Sequence, residues 1–329
     1  MNASALAGLV LMIVTETATL AGLEPFASWN TPIAWTGFIL FADGVVWRAR
    51  GRSWIRSAPR EFVLLALVSV PLWLVFEYYN LFINNWYYTG LPENAFLRQF
   101  GYGWSFATIW PAIFEGADLI TVWRSENPRD ARTASPPQKH AKTLTPREHT
   151  TNPVVQEHPV CVAAHDVRPA QMASIALGAA MLAWPLLWPS PYLAAPVWLG
   201  FIFLLEPINM RLGGESLWWD FRRGERSRVT NLILSGFLCG FLWEFWNYWS
   251  RAKWHYTVPI MENVKIFEMP LPGYVGFPAF ALECFAMYVF VRALAVRIFG
   301  VQLKRDGMPN LPGADAYRAP NGHGYRIAL

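Results

Sequence analysis

The sequence predicts an all-α protein, a polytopic transmembrane helix bundle of about eight spans built as a duplicated four-helix unit. The first observation is composition: 54% of the 329 residues are hydrophobic and only 15% are charged, whereas soluble domains carry about 25% charged residues. The second is the 18 tryptophans, a residue that collects where a bilayer meets water. The third is a pattern of acids and aromatic residues that occurs twice.

Eight apolar runs approach the length of about 17–25 residues that spans a bilayer. They are residues 8–26, 32–47, 62–86, 104–123, 170–188, 196–210, 229–249 and 278–299. The second and sixth runs are short. The first run lacks the basic segment of a signal peptide, so we expect it to remain as a helix.

Four segments follow from these runs. Residues 1–123 are the first transmembrane repeat, and residues 170–299 are the second. Residues 124–169 are rich in Pro, Thr, His and charged side chains, a composition that cannot bury a core and predicts a flexible linker. Residues 300–329 form a polar tail rich in Gly and Pro.

Arginines in the loops predict the orientation, because cytoplasmic loops of membrane proteins carry an excess of Lys and Arg. Two loops concentrate them: Arg48, Arg50, Arg52, Arg56 and Arg60 after the second run, and Arg211, Arg222, Arg223, Arg226 and Arg228 after the sixth. With eight spans, both loops, the linker and both termini lie on one side. We therefore expect a multi-pass protein of the bacterial cytoplasmic (inner) membrane with cytoplasmic termini.

The internal repeat has a period of roughly 165 residues, longer than any solenoid unit. The matched pairs are Glu77 and Glu244, Asn80 and Asn247, Trp86 and Trp254, Tyr88 and Tyr256, and Glu115 and Glu283. An even number of spans in each unit predicts parallel halves related by an axis along the membrane normal.

Carboxylates inside apolar runs are the candidate catalytic residues, because such groups are costly in a bilayer and commonly mark a site. They are Glu77, Glu115, Glu244 and Glu283, with Asn80 and Asn247 in support on the same helix faces as two of the acids. We expect up to four carboxyls to line one cavity and to exchange protons. The alternative is structural: each Glu accepts hydrogen bonds from Trp, Tyr or Asn side chains across helices.

The aromatic residues have two interpretations, an interfacial belt and a cavity lining. Trp86, Tyr87 and Trp254 fit the belt. Residues that flank the glutamates are the candidate substrate-binding set, together with the one histidine near a membrane run: Tyr78, Tyr79, Phe245, Trp246 and His255. Aromatic rings can hold an apolar chain or stabilise a cation.

The sequence lacks the motifs of several classes of enzyme and phosphate-binding protein. The histidine spacing of membrane di-iron enzymes, a phosphate-binding glycine loop and a GxSxG motif are all missing from the sequence. We therefore expect no metal and no cofactor. The basic residues sit in short loops, which indicates topology rather than nucleic-acid binding. The expected partners are membrane lipids and an apolar small molecule, and the oligomeric state is not specified.

The strings WEFWNYW and KIFEMPLPGYVGFPAFALE resemble a family of uncharacterised bacterial multi-pass membrane proteins. A further likeness is to integral-membrane lycopene cyclase-type domains, which have tandem helical repeats and a W-x-Y step followed by a proline and a membrane acid. Trp254, Tyr256, Pro278 and Glu283 follow that order. In those cyclases the proline and the acid are almost adjacent, whereas here they are four or five residues apart.

Three functional hypotheses follow. The first is an intramembrane acid/base enzyme that acts on a lipid or isoprenoid with paired Glu residues. The second is a proton-coupled transporter or lipid-binding protein. The third is a structural or assembly protein of the membrane. The enzyme predicts an apolar tunnel, the transporter a wet axial path, and the structural protein no cavity.

Overall fold

The computed structural model describes residues 2–124 and 167–299, and most of this part of the chain is helical. The predicted tail and nearly all of the predicted linker lie outside the described residues.

The first half of the chain contains six helices and one strand. They are α1 (Ala3–Leu20), α2 (Phe26–Arg50), the short α3 (Trp54–Ser57), α4 (Pro59–Ile83), β1 (Trp86–Thr89), α5 (Ala95–Ala107) and α6 (Ile109–Arg124). Asn2 and Asn94 begin α1 and α5, since each accepts a hydrogen bond from the backbone N–H three residues later. Gly51 ends α2 in the left-handed conformation that a glycine adopts without strain.

The second half begins with the same order of elements. It contains α7 (Val167–Leu187), α8 (Ala194–Arg211), the short α9 (Leu217–Arg222), α10 (Ser227–Trp249), β2 (Lys253–Tyr256), β3 (Lys265–Ile266), β4 (Met269–Pro270), a 3₁₀ turn (Leu271–Val275) and α11 (Gly276–Phe299). The small β3–β4 hairpin and the 3₁₀ turn stand where the first half has α5.

Five segments are long and apolar enough to cross a membrane. They are Ala3–Leu20, Pro59–Ile83, Arg168–Leu187, Ser227–Trp249 and Leu271–Ile298. The chain is therefore mostly helical, with candidate spans in both halves. Three further helices, α2, α6 and α8, are not among the five.

Small residues bring neighbouring helices into close contact in both halves. A Cβ atom added to Gly8 of α1 would lie 2.4 Å from the carbonyl oxygen of Gly37 in α2. A Cβ added to Gly178 of α7 would lie 2.7 Å from the carbonyl oxygen of Gly200 in α8. Such glycine contacts let helix backbones approach closely in membrane proteins.

The two halves meet at a two-stranded antiparallel ribbon of β1 and β2. Trp86 pairs with Tyr256, Tyr87 with His255, and Tyr88 with Trp254. Each strand is attached to the end of the helix before it by an asparagine. Asn80 donates to the carbonyl oxygen of Trp86 at 2.8 Å, and Asn247 donates to that of Trp254 at 2.8 Å.

Candidate functional site

A cavity of about 470 Å³ lies between the ribbon and the first turns of α2, α8 and α11. Side chains alternate between the two faces of a strand, so one face of the ribbon forms part of the cavity wall. Its residues in the wall are Trp86, Tyr88, Trp254 and Tyr256. Both halves of the chain therefore contribute to one cavity.

Aromatic rings dominate the wall. Trp73 of α4 packs against Trp86, Trp243 and Phe280, with centroid separations of 6.1, 5.6 and 5.7 Å. Trp198 of α8 packs edge-on against Phe280 at 5.4 Å. The wall contains one charged side chain, Arg98 of α5. The cavity is thus apolar and aromatic, with a single cation in its lining.

Glu77 lies directly behind this wall. One of its carboxylate oxygens, Oε1, accepts three hydrogen bonds: from the hydroxyl of Tyr88 at 2.5 Å, from the indole N–H of Trp73 at 2.9 Å and from that of Trp86 at 3.3 Å. All three donors belong to residues of the cavity lining. Glu77 therefore contacts the cavity through these side chains and does not line it.

Glu244 has the corresponding position in the second half but a different set of contacts. The hydroxyl of Tyr256 donates to its Oε1 at 2.8 Å. The indole N–H of Trp254 donates to the Tyr256 hydroxyl, also at 2.8 Å, and lies beside the carboxylate. Glu244 is completely buried, and its Oε2 has no hydrogen-bond partner among the described residues.

The two ribbon tyrosines keep their protons. Burial, followed by the charge of Glu77, raises the pKa of Tyr88 well above its ordinary value. Burial, followed by the charge of Glu244, does the same to the pKa of Tyr256. Both hydroxyls are therefore hydrogen-bond donors at physiological pH.

The other two candidate acids, Glu115 of α6 and Glu283 of α11, lie in the helix bundle away from the cavity lining. Glu115 is buried and lies beside two other acids, Asp43 of α2 and Asp118 of α6. Glu283 is also buried, and its Oε1 accepts from the backbone N–H of Phe201 at 3.3 Å. The structure thus does not gather the four carboxyls around this cavity.

Asn80 and Asn247 bind backbone rather than a ligand. The side-chain oxygen of Asn80 accepts from the N–H of Asn85 at 2.8 Å and from that of Trp86 at 3.2 Å. The oxygen of Asn247 accepts from the N–H of Trp254 at 2.9 Å. Both side chains fix the connection from helix to ribbon, which positions the tyrosines.

The aromatic residues that flank the glutamates lie outside the cavity lining. Tyr78 is 52% exposed on the outer surface of α4. Tyr79 is buried and donates to the carbonyl oxygen of Leu182 at 3.1 Å. Phe245 packs against Phe267, and Trp246 packs edge-on against Trp35 at 4.8 Å. Their assignment as substrate-binding residues stays a prediction.

His255 lies on the opposite face of the ribbon from Trp254 and Tyr256. Its ring stacks on Tyr87 at 5.4 Å. Its Nδ1 is 3.1 Å from Glu268, and its Nε2 is 3.1 Å from the hydroxyl of Thr89. His255 therefore belongs to an outward-facing polar network and does not line the cavity.

The residues that form the polar part of the wall were not predicted as site residues from the sequence. Tyr88 and Tyr256 were matched as a repeat pair, but the ribbon that turns them inward was not predicted. Alternation along W-x-Y in both strands was the available signal, because it places Trp and Tyr on one face. Tyr102 and Arg98 carried no such signal, since their positions depend on how α5 folds over the cavity.

Groups of three or more His, Cys, Asp or Glu side chains arranged to hold a metal do not occur in residues 2–124 or 167–299. The expectation of no metal and no cofactor stays a prediction. Comparisons with known proteins returned no matching family model, no matching curated protein and no matching solved structure. The resemblances described from the sequence therefore also stay predictions.

Proposed function

We propose that this chain is a multi-pass membrane protein that binds an apolar molecule of the lipid or isoprenoid class in the aromatic cavity. The observation that carries the proposal is a cavity of about 470 Å³ whose wall is aromatic and contains one charged side chain. Small-molecule sites have volumes of about 300–1,000 Å³ and are lined mainly by apolar side chains with a few polar groups. An apolar chain fits this chemistry better than a hydrated ion or sugar.

The proposal includes the architecture expected from the sequence: two parallel four-helix units, eight spans and cytoplasmic termini in a bacterial inner membrane. The matching order of elements in the two halves supports duplication. So does the ribbon register, because exchanging the halves maps the pair Trp86–Tyr256 onto the pair Tyr88–Trp254. The arginines near α3 and α9 support the orientation. The orientation can be tested by labelling single cysteines, engineered at the termini, with a reagent that does not cross the membrane.

A cavity-filling variant tests binding. Gly101 lines the cavity, and a Cβ added there would meet only Trp29, at 3.8 Å, so Gly101→Leu fills the space without a backbone clash. Gly103 lies two residues further along α5, and a Cβ there meets nothing within 4 Å. Gly103→Leu is the matched control.

The measurement is native mass spectrometry of the purified chain, with identification of the lipids that remain bound. Wild type and Gly103→Leu retain an apolar lipid or isoprenoid, and Gly101→Leu loses it. Equal retention by all three would contradict binding in this cavity. A structural role would be favoured if the purified protein carries no lipid and if added isoprenoids do not quench its tryptophan fluorescence.

The tyrosine–glutamate pairs favour a second candidate function, acid/base catalysis on the bound molecule. In the hydrogen-bond direction observed, Tyr88 can pass its proton to Glu77 as it takes one from the substrate, and the reverse transfer then returns a proton to the substrate. The pair Glu244–Tyr256 has the same hydrogen-bond direction and can act in the same way. The surrounding indoles would stabilise a cation formed in between.

Comparison of lipid extracts from cells with and without the protein tests catalysis. We expect a lipid or isoprenoid that changes with the wild type and reverts with Glu77→Gln or Glu244→Gln. Tyr88→Phe separates the two functions, because it removes the hydroxyl that donates to Glu77 and keeps the apolar wall. If the extracts do not differ between these cells, although the variants insert into the membrane and retain the ligand, catalysis is ruled out. Binding or transport then remains.

A further inference from the structure

We propose that Arg98 binds the anionic head of the cavity's ligand, so that the ligand is an anionic amphiphile: an apolar chain that ends in a phosphate or carboxylate. This inference rests on the proposed binding function of the cavity and adds the chemical class of the ligand. It starts from Arg98, the one charged side chain that the described residues place in a mostly apolar lining.

Arg98 has unused hydrogen-bonding capacity. A guanidinium carries five N–H donors, and the only hydrogen bond of the Arg98 side chain within the described residues is from Nη1 to the carbonyl oxygen of Pro92, at 3.4 Å. It forms no ion pair with any acid of the described part of the chain. Two half-buried or buried arginines of the described residues do pair with acids: Arg50 with Asp118 at 2.9 Å, and Arg292 with Glu215 at 3.5 Å.

The position of Arg98 in its helix also favours an anionic ligand. It is the fourth residue of α5, which begins at Ala95. The first turn of a helix carries partial positive charge, so a cation there is unfavourable and an anion is favourable. An anionic head group beside Arg98 would be stabilised by both the guanidinium and this end of the helix.

Arg98 also stands at one end of a polar line along the wall. Tyr102 follows it by one helical turn on the same helix face, and the ring of Tyr102 lies 5.4 Å from that of Tyr88. Tyr88 in turn donates to Glu77. A head group at Arg98 therefore leaves the apolar chain to extend along the indoles of Trp73 and Trp243, past the ribbon tyrosines.

No cation of residues 167–299 lines the cavity. Lys265 and Lys253 are near in sequence to the second-half lining, but neither lines the cavity, and Lys253 lies 3.7 Å from Glu268 on the outer face of the ribbon. One cation in one half predicts a ligand with one anionic end rather than two. It also gives the ligand a direction in the cavity.

The experiment measures binding of two probes with the same chain, farnesyl phosphate and farnesol, by quenching of tryptophan fluorescence in detergent micelles. The full-length chain is compared with Arg98→Gln. Arg251→Gln is the matched control, because Arg251 is an exposed arginine that pairs with Glu24 and does not line the cavity. Dividing the Kd ratio of the two probes in wild type by that in Arg98→Gln cancels their different partition into micelles.

We expect the preference for farnesyl phosphate to fall about 10- to 100-fold in Arg98→Gln, the range for loss of a hydrogen bond to a charged group. Arg98→Gln should bind farnesol with the Kd of the wild type, and Arg251→Gln should bind both probes with the Kd values of the wild type. An unchanged preference in Arg98→Gln would overturn the role of Arg98 while the cavity function stands. If neither probe binds wild type, the cavity function and this inference both fail.

Inorganic phosphate distinguishes two sources of the anion. As a competitor at the same concentration as farnesyl phosphate it should not displace the probe, because it lacks the chain that the aromatic wall holds. Displacement by inorganic phosphate would overturn the amphiphile assignment and indicate a site for a free anion.

Discussion

Glu77 and Glu244 occupy matching places in the two halves, yet their surroundings differ. Glu77 is half-buried, and one of its oxygens accepts from Trp73, Trp86 and Tyr88. Glu244 is fully buried, accepts one hydrogen bond from Tyr256 on Oε1, and has an Oε2 without a partner. The difference arises at two positions. The indoles of Trp86 and Trp73 donate to Glu77, whereas the indole of Trp254 donates to the Tyr256 hydroxyl and Gly240 stands four residues before Glu244.

The comparison shows that equal sequence spacing does not give equal chemistry. Glu77 holds three side chains of the cavity wall in place, so its main effect is on the shape of the wall. Glu244 has an unused oxygen in a buried site, and a buried polar atom without a partner is costly. Glu244 therefore has capacity for a further partner inside its buried site, such as a water molecule.

The largest expected effect comes from truncating these acids. Glu77→Ala leaves three donors without an acceptor, and each such donor costs about 1–3 kcal/mol. We therefore expect the free energy of unfolding to fall by at least about 3 kcal/mol. Glu244→Ala leaves only the Tyr256 hydroxyl without its acceptor, which predicts a loss of about 1–3 kcal/mol. Equilibrium unfolding in mixed micelles measures both.

The glutamine variants are the controls for this pair. Glu77→Gln keeps an oxygen that can accept from the same donors, so its cost should stay within about 1 kcal/mol. A greater loss for Glu244→Ala than for Glu77→Ala would contradict the difference between the two sites, and would show that burial outweighs the number of donors.

Much of the helical architecture was predictable from sequence, because each apolar run carries its own signal. The run 229–249 corresponds to α10, and the run 278–299 to α11, within two residues at each end. Boundaries were less accurate where aromatic residues continue past a helix end. The run 62–86 included Trp86, whereas α4 ends at Ile83 and Trp86 begins β1.

The cavity was harder to predict because it depends on contacts between distant segments. β1 and β2 pair across more than 160 residues, and the W-x-Y alternation in each four-residue strand does not show which segment is its partner. The run of aromatic residues fitted an interfacial belt equally well. Sequence matching found Glu77, Tyr88, Glu244 and Tyr256 as pairs, but not which partner each carboxylate would have.

The next prediction concerns a feature that is alike in the two halves. Gly8→Ala places a Cβ 2.4 Å from the backbone of Gly37 and Phe41, and Gly178→Ala places one 2.4 Å from that of Leu204. Backbone cannot move aside as a side chain can, so each variant should lose about 1–3 kcal/mol of unfolding free energy. Similar losses in both would show that helix packing is shared even where the acid sites differ.

Gly103→Ala provides the comparison for the glycine variants, because a Cβ there meets nothing within 4 Å. Alanine favours a helix over glycine by about 0.5–1 kcal/mol, so this variant should be as stable as wild type or slightly more stable. A loss at Gly103 equal to that at Gly8 would mean that close helix approach is not the cause.

A smaller effect is expected from the asparagines that attach the ribbon. Asn80→Ala removes three hydrogen bonds to backbone, and Asn247→Ala removes two. Water can reach part of each turn and replace some of these bonds, so we expect losses of about 1–2 kcal/mol. The loss should be greater for Asn80. Hydrogen exchange of the β1 and β2 amides should accelerate in both variants. Unchanged exchange rates would contradict the role of these asparagines in attaching the ribbon to the helices.

The smallest effects separate the two faces of the ribbon. Tyr87 is 51% exposed, and its neighbour His255 joins the polar network with Glu268. The His255–Glu268 pair is partly exposed, and such pairs contribute about 0–1 kcal/mol, so Tyr87→Phe and His255→Gln should each change the unfolding free energy by less than about 1 kcal/mol. Tyr88→Phe, one residue further on, should cost about 1–2 kcal/mol because it removes the hydrogen bond to Glu77. Tyr87→Phe could instead lower the unfolding free energy as much as Tyr88→Phe does, or abolish ligand retention. Either result would mean that the outer face of the ribbon, with the His255 network, is the functional face rather than the cavity.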